Sequence, residues 1–187
     1  MDLEISPEYF DVVDALDSVI GIASRSHIHA NNLYHRAVHV FVFNTQGAVF
    51  IQKRSLNKDT APGKWVSSCS GHVDAGEYYY AAARRELGEE INLFSPQKLS
   101  LVMVERPRPE TGYEHVHLFK CYAEEITKLH PLEISQGQWV QPERLSCWIS
   151  ERPHDFSKSF VYLWKTLSQL SRFLIKIRRL LLHPKLP

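Results

Sequence analysis

The sequence has few of the features that mark secreted, membrane-spanning or nucleic-acid-binding proteins. Its 187 residues include three cysteines, Cys69, Cys121 and Cys147, an odd number without a C-x-x-C pair. This set predicts free thiols in a reducing, cytoplasmic setting. No apolar run approaches the roughly 18 residues that a membrane-spanning helix requires, and the acidic start Met-Asp-Leu-Glu is unlike a signal peptide. A net charge of +1 gives no reason to expect a nucleic-acid partner.

The remaining composition is that of an ordinary globular protein, with 44% hydrophobic and 23% charged residues. The length predicts a single domain over residues 1–173, followed by a basic, apolar extension at 174–187. Hydrophobic patterning predicts strands at residues 10–15, 19–23, 36–43, 48–53, 65–69, 99–104, 114–122 and 138–140. The first two strands form an N-terminal hairpin over residues 10–24. Helices are predicted at 78–90, from 142–145 onwards and at 160–182, whereas the polar residues 25–35 are predicted to form a loop.

A glycine-bearing loop followed by a short helix carries most of the chemical information. The helix has carboxylates at Glu86, Glu89 and Glu90, which fall on one side at about 3.6 residues per turn. Like charges at this spacing repel by a few tenths of a kcal/mol per pair, roughly. A hard divalent cation removes that penalty, and Mg²⁺ or Mn²⁺ prefers carboxylate oxygens. The alternative interpretation is a solvated helix with an acidic face.

The segment from Gly71 to Leu93 resembles the Nudix box, G-x5-E-x7-R-E-U-x-E-E-x-G-U, in which U is a bulky aliphatic residue. The matching positions are Gly71, Glu77, Arg85, Glu86, Leu87, Glu89, Glu90 and Leu93. Asn92 stands where the pattern has its last glycine. At that position the helix ends in a left-handed residue, for which asparagine is the usual second choice.

The Nudix resemblance implies an α/β (α+β) fold, an α/β/α sandwich with a mixed sheet between helices. It also implies metal-dependent hydrolysis of a diphosphate linkage in a nucleoside-diphosphate-type or other organic diphosphate, with Mg²⁺ or Mn²⁺ as cofactor. The implied metal ligands are Glu86, Glu89, Glu90 and the backbone carbonyl of Gly71. Arg85 is implied to hold a box carboxylate, Glu77. The general base is either a box glutamate or a distant acid, and the candidates are Glu105, Glu110 and, in first place, Glu114.

Three cations precede the box, at Arg54, Lys58 and Lys64. Because a guanidinium fork and an ammonium group both bind phosphate oxygens, we interpret these residues as a diphosphate-binding set. A solvated basic loop is the alternative. The partner predicted from this region is a small-molecule diphosphate.

The chain is also similar, over roughly residues 10–125, to the isopentenyl-diphosphate isomerase branch of the same superfamily. Those isomerases bind a metal through histidines and glutamates. This resemblance assigns ligand roles to His35 and His72, with either His27 or His29 as a third, and it matches Glu114 to the first acid of a Glu-x-Glu pair. Imidazole and carboxylate together suit Zn²⁺, Mn²⁺ or Fe²⁺. His39 lies in mid-strand and is interpreted as a core or edge residue.

Two positions argue against isomerase chemistry. The isomerase has a cysteine where this chain has Ser70, and the neighbouring Cys69 is shifted by one residue, which points its side chain to the opposite face of a strand. The second acid of the Glu-x-Glu pair falls on Val116, which cannot transfer protons. The sequence therefore favours a Nudix hydrolase over an isomerase relative or a non-catalytic diphosphate-binding module.

The C-terminal helix is rich in cations and aliphatic residues. We interpret residues 160–173 as a helix docked on the sheet with its cations reaching outward. Residues 174–187 are compatible with docking, with a basic amphipathic helix on an anionic membrane or a partner, and with self-association as a homodimer.

Overall fold

The computed structural model describes residues 8–182, and in the last helix it describes side chains through Leu170 together with Phe173. These residues form nine strands and four α-helices. The strands are β1 (Tyr9–Val13), β2 (Val19–Ser24), β3 (His35–Phe43), β4 (Val49–Arg54), β5 (Trp65–Val66), β6 (Cys69–His72), β7 (Gln97–Glu105), β8 (Glu114–Tyr122) and β9 (Ile134–Val140). The helices are α1 (Arg25–Asn31), α2 (Tyr79–Ile91), α3 (Pro142–Glu151) and α4 (Lys158–Leu182), and two single turns of 3₁₀ helix lie at Pro109–Thr111 and Pro153–Asp155.

A seven-stranded mixed sheet forms the middle layer. Strand β3 is at its centre and runs parallel to β8, with His35 opposite Glu114 and Phe43 opposite Tyr122. Its other neighbours, β4 and β6, are antiparallel to it. Strands β5 and β9 add to β4, and β7 adds to β8. Since long β-branched and aromatic runs form β3 and β8, these strands are buried on both faces.

Side-chain alternation along β3 divides the hydrophobic core in two. Val38, Val40 and Val42 point to the face covered by α2 and pack with Leu87. Phe41 points to the other face and packs against aromatic side chains of α4 and of the segment before it, Phe156, Phe160 and Trp164. Helices thus cover both faces of the sheet, which confirms the predicted α/β/α sandwich.

The helix of the Gly71–Leu93 segment ends as the sequence predicts. Asn92 has a φ of 58°, and its N–H bonds to the Gly88 carbonyl. Leu87 and Ile91 are fully buried against the sheet. Burying such a side chain contributes about 1.5–3 kcal/mol, so this face anchors the helix. The acidic positions are consequently fixed relative to β6.

Residues 25–35 contain a helix, which corrects the predicted loop. Ser24 caps α1 by accepting a hydrogen bond from the His27 N–H, and Asn32 ends it in a left-handed conformation with a φ of 51°. Between these caps only Ile28 is buried. A helix of seven residues with one buried apolar side chain has no visible periodicity, which is why its pattern suggested a loop.

The C-terminal helix docks through Phe160, Leu163 and Trp164, which confirms the first part of the docking predicted for residues 160–173, whereas Leu170 and Phe173 are exposed. Its backbone continues as α4 to Leu182. The predicted roles of the 174–187 extension concern side chains and terminal residues outside the described part, so they stay predictions. None of the described helices is long and apolar enough to cross a membrane.

Candidate active site

A cleft of about 1330 Å³ lies between the sheet, α4 and the loop that follows β4. Its volume exceeds that of an ordinary small-molecule pocket, so it has room for a diphosphate and an attached organic group. Ten predicted site residues line it: Arg54, Lys58, Lys64, Gly71, His72, Arg85, Glu86, Glu89, Glu90 and Glu114. The eleventh, His35, is buried and lies beside His72 and Glu114.

Gly71 and Glu86 are in very close contact. A Cβ atom built on Gly71 would lie 2.0 Å from Glu86 Oε1 and 2.1 Å from its Cδ. Only a residue without a side chain therefore allows the Glu86 carboxylate to lie against the backbone of β6. This contact brings the Gly71 backbone and the helix carboxylates to one place, which is the arrangement that a shared metal ion needs.

Arg85 connects the carboxylates of the box. Its Nη2 and Nε atoms donate to both oxygens of Glu77, at 2.9 and 3.1 Å. Its Nη1 donates to Glu86 Oε1 at 2.7 Å and to Glu89 Oε2 at 3.2 Å, and Nη2 also donates to the His72 carbonyl at 3.0 Å. A planar guanidinium with five N–H donors can satisfy all of these acceptors at once. Arg85 therefore fixes both the helix and the loop before it.

Glu90 is a buried carboxylate with several donors. Its Oε2 accepts from Gln52 Nε2 at 2.8 Å and from the Ser70 N–H at 3.1 Å. Burial raises its pKa, and burial together with the charge of Glu90 raises the pKa of Glu86. Glu86 and Glu90 lie next to each other, and both resist ionisation. A divalent cation would stabilise their charged forms, so the pair is suited to bind one.

A second cluster contains three histidines. The ligand-capable atoms of His29, His35 and His72 lie within 4.8 Å of one another. Glu114 Oε1 lies 3.3 Å from His72 Nε2 and 3.6 Å from His35 Nε2. The Phe10 ring from β1 stacks on His72 with 4.6 Å between ring centroids. The hairpin of β1 and β2 therefore closes this side of the cluster.

The hydrogen bonding of His35 fixes where its proton lies. Nδ1 is 2.9 Å from the Leu33 carbonyl, which can only accept, so Nδ1 carries the hydrogen. In the neutral ring Nε2 then presents a lone pair toward Glu114. The Nε2 atoms of His29, His35 and His72 are all buried without a hydrogen-bond partner among the described residues.

Converging lone pairs beside a carboxylate suit a metal ion. Burial lowers the pKa of His29 to about 4 and lowers that of His72, which keeps both rings in the neutral form that ligates metals. Burial alone would raise the pKa of Glu114, whereas hydrogen bonds from His35 and His72 lower it when those rings carry a proton on Nε2. This set of nitrogen and oxygen atoms fits a divalent cation. A histidine that binds a metal through one ring nitrogen commonly donates from the other to a backbone carbonyl, as His35 Nδ1 does to Leu33.

The three predicted diphosphate-binding cations differ in how strongly they are held. Lys58 Nζ donates to Glu133 at 2.6 Å. Arg54 Nε donates to the Thr60 carbonyl at 2.8 Å, and Lys64 donates to the His154 carbonyl. Because those last two contacts are to backbone carbonyls, Arg54 and Lys64 have no carboxylate partner among residues 8–182.

The two positions that argue against isomerase chemistry point in the expected directions. Cys69 is buried in the core under α2, whereas Ser70 lines the cleft. Val116 is fully buried in the core on the α4 side. All three cysteines are free thiols. No thiol and no second acid therefore occupies these positions in the described cleft.

Three residues at the site were not assigned to it from the sequence. Sequence reasoning left His27 and His29 as alternatives, and the structure places His29 in the cluster, because α1 turns that side chain toward His35. It did not identify Gln52, the partner of Glu90. It assigned His39 to the core or an edge, and His39 is indeed buried and hydrogen-bonded to Ser67, but it also lines the cleft, which was not predicted. The alternation His35–Ala37–His39 along β3 was the available signal.

Comparisons with known proteins agree with this geometry. A family model described as NUDIX domain matches residues 33–163. An isopentenyl-diphosphate Δ-isomerase 2 of Photorhabdus laumondii is 34% identical over 169 residues, covering 88% of this chain and 93% of the relative. An uncharacterised Nudix hydrolase of Yersinia pestis is 31% identical over 168 residues, covering 85% and 86%. A crystal structure from Deinococcus radiodurans superposes with a TM-score of 0.68 at 28% identity, covering 77% of this chain and 90% of that one.

Proposed function

The chain belongs to the Nudix domain family, and we propose that it hydrolyses a diphosphate linkage in an organic diphosphate with the help of Mg²⁺ or Mn²⁺. One observation carries this proposal. Glu86, Glu89 and Glu90 line the same cleft as Arg54 and Lys64, two cations without a carboxylate partner in the described part of the chain. A site that holds both metal-ligating carboxylates and phosphate-binding cations is equipped to bind and polarise a diphosphate.

The residues of the chain have separate tasks in this proposal. Glu86, Glu89 and Glu90 hold the cation together with the Gly71 carbonyl, and Arg85 keeps two of these carboxylates in place. Arg54, Lys58 and Lys64 bind and orient the diphosphate oxygens. The bound cation neutralises phosphate charge and acidifies a water molecule, the two contributions that metal ions make to such hydrolysis.

The geometry changes the role that we assign to Glu114. Sequence reasoning ranked it first as general base, but Glu114 Oε1 lies 3.3 Å from His72 Nε2 and 3.6 Å from His35 Nε2, so its carboxylate faces the histidines. We therefore assign Glu114 to the histidine cluster, as a fourth ligand beside His29, His35 and His72. Glu89 is the exposed member of the three helix carboxylates, and we propose it as the group that accepts the proton of the attacking water.

A second candidate function is isomerisation of isopentenyl diphosphate. It is favoured by the named isomerases among the relatives and by the histidine cluster with Glu114. That reaction needs one group to protonate a carbon and another to remove a proton. Ser70 and the buried Val116 stand at the two positions where the isomerase has its cysteine and its second acid. We therefore rank isomerisation below hydrolysis.

Assays with the purified chain distinguish these functions. We expect release of phosphate or a monophosphate from a panel of nucleoside and prenyl diphosphates with Mg²⁺ or Mn²⁺. Glu90→Gln should reduce kcat about a hundred-fold or more, since it removes a charge from the ligand set. Glu125→Gln, an exposed carboxylate outside the cleft, is the matched control and should leave kcat unchanged.

Three outcomes would contradict the hydrolase proposal. Full activity in Glu90→Gln would show that the carboxylate set does not carry the reaction. Conversion of isopentenyl to dimethylallyl diphosphate without hydrolysis would identify an isomerase, and tight diphosphate binding without any turnover would identify a binding module.

A further inference from the structure

His39 lies on the floor of the cleft, beside Ser70. The two residues are cross-strand partners between the antiparallel strands β3 and β6. Directly opposed side chains of such a pair have Cβ atoms about 5 Å apart and share one face of the sheet. Both residues line the cleft, between the histidine cluster and the loop that carries Arg54. Neither is a metal ligand or a phosphate-binding cation in the function proposed above.

Ser67 determines the tautomer of His39. The Ser67 hydroxyl is 2.7 Å from His39 Nδ1, is fully buried, and has no other hydrogen-bond partner among the described residues. If Nδ1 carried the hydrogen, the hydroxyl hydrogen of Ser67 would be buried without an acceptor, which costs free energy. The favoured arrangement has Ser67 donating to Nδ1. The hydrogen of the neutral ring is then on Nε2.

The His39 ring therefore offers an N–H donor to the cleft. His39 is buried but lines the cleft, and its Nε2 has no hydrogen-bond partner among residues 8–182. The Ser70 hydroxyl adds a second group that can donate or accept, and it has no hydrogen-bond partner within residues 8–182. A hydrocarbon group placed here would leave both side chains without a partner.

The opposite wall of the cleft is mixed. Ser159, Tyr162 and Lys165 of α4 line it together with the apolar Val161 and Phe156. The Tyr162 ring is covered by the Arg108 guanidinium at 4.4 Å, and its hydroxyl donates to Glu105. This wall therefore offers hydrogen bonds and charge, beside apolar surface, to the organic part of a substrate.

We propose that His39 and Ser70 form a polar subsite that binds an oxygen atom on the organic part of the substrate. The chain then selects diphosphates of hydroxylated groups over diphosphates of pure hydrocarbons. This inference rests on one part of the proposed function, the binding of the diphosphate by the metal ion and by the cations of the loop after β4. Sites built to hydrogen-bond a substrate group discriminate strongly against analogues that lack it, because their own polar groups are then left unpaired.

Two ligands that differ by one hydroxyl test the subsite. Dimethylallyl diphosphate and its 4-hydroxy derivative are titrated into the full chain by calorimetry, with Ca²⁺ replacing Mg²⁺ to suppress turnover. The wild-type chain should bind the hydroxylated ligand about ten-fold tighter or more. His39→Leu should reduce that preference to below about three-fold, and Ser70→Ala should reduce it partly. His39→Gln, which keeps an N–H donor, should restore part of the preference.

Ser68→Ala is the matched control. Ser68 is as buried as Ser67, but its hydroxyl donates to the Phe50 carbonyl and accepts from the Val42 N–H, away from His39. Ser68→Ala should lose some thermal stability and keep the preference for the hydroxylated ligand. Ser67→Ala should weaken that preference, because His39 could then carry its hydrogen on either ring nitrogen.

The outcomes separate this inference from the proposed function. Equal affinity of the wild-type chain for both ligands, or an unchanged preference in both His39→Leu and Ser70→Ala, would overturn the subsite while leaving diphosphate hydrolysis intact. Inorganic pyrophosphate is titrated in parallel. If neither pyrophosphate nor either ligand binds, the proposed function fails and the subsite falls with it.

Discussion

Replacing Gly71 with alanine tests whether the contact between β6 and Glu86 builds the metal site. The added Cβ would lie 2.0 Å from Glu86 Oε1, whereas ordinary contacts begin at 3.4 Å. The Glu86 carboxylate must therefore retreat by about 1.4 Å, away from its 2.7 Å bond with Arg85. A misplacement of about 1 Å in a catalytic arrangement can cost about a hundred-fold in rate, and we expect at least that loss in kcat/KM.

The fold should tolerate the same substitution. The atoms that must move belong to the far end of a flexible side chain, and Gly71 does not have a positive φ. Alanine also reduces the conformational entropy of the unfolded chain, by about 0.4–1 kcal/mol. We therefore expect thermal denaturation of Gly71→Ala to differ from wild type by less than about 1 kcal/mol, while Mn²⁺ titration shows a weakened carboxylate site.

Gly21→Ala is the matched control, since a Cβ at Gly21 in β2 would meet nothing within 4 Å. It should leave both hydrolysis and Mn²⁺ affinity unchanged. Wild-type kcat/KM in Gly71→Ala would refute the assignment of Glu86 as a ligand held against β6. A large loss of stability would instead show that this contact matters for the fold.

Two further predictions concern the metal sites. Because the folded pKa values of Glu86 and Glu90 are raised above the ordinary 4.5, the metal-free folded state binds more protons than the unfolded chain. The contribution of these two carboxylates to stability should therefore fall as pH rises from 4.5 through the raised pKa values. Because the lowered pKa values of His29 and His72 act in the opposite sense, this contribution is measured as the difference in thermal denaturation between the metal-free wild type and Glu86→Gln. Saturating Mn²⁺ should abolish its pH dependence, and a difference that stays constant over this range would contradict the assignment. Titration of the chain with Co²⁺ should reveal two classes of site, and His35→Leu should remove one class and keep the other, whereas loss of both would mean that the carboxylates and histidines bind a single ion.

The box could be predicted from the sequence because its chemistry is local. Glu86, Glu89 and Glu90 lie on one helix, so the helical period alone predicts their positions relative to one another. The stop at Asn92 follows from the backbone preferences of asparagine, and it has the left-handed conformation that was expected. The resemblance of the box to the Nudix pattern also predicted the α/β/α sandwich, which the structure confirms.

The histidine cluster could be predicted only in part, because it depends on contacts between distant segments. His35 and Glu114 meet through the parallel pairing of β3 with β8, and His72 meets them through the antiparallel pairing of β3 with β6. Strand pairing over such separations is not visible in local patterns. His29 in turn requires α1, a helix too short to show a period.

The alternation of β6 separates the two possible chemistries of this site. In Cys69-Ser70-Gly71-His72, the side chains of Ser70 and His72 face the cleft, while Cys69 is buried under α2 and the face of Gly71 is occupied by Glu86. Moving the thiol by one residue would turn it toward His39, the cross-strand neighbour of Ser70. Ser70 thus does more than remove a cysteine. The carboxylates of α2 lie on one side of the strand, and Ser70 gives the other side a hydroxyl next to His39. Under the proposals made above, we expect this surface to bind oxygen and not to protonate a carbon–carbon double bond.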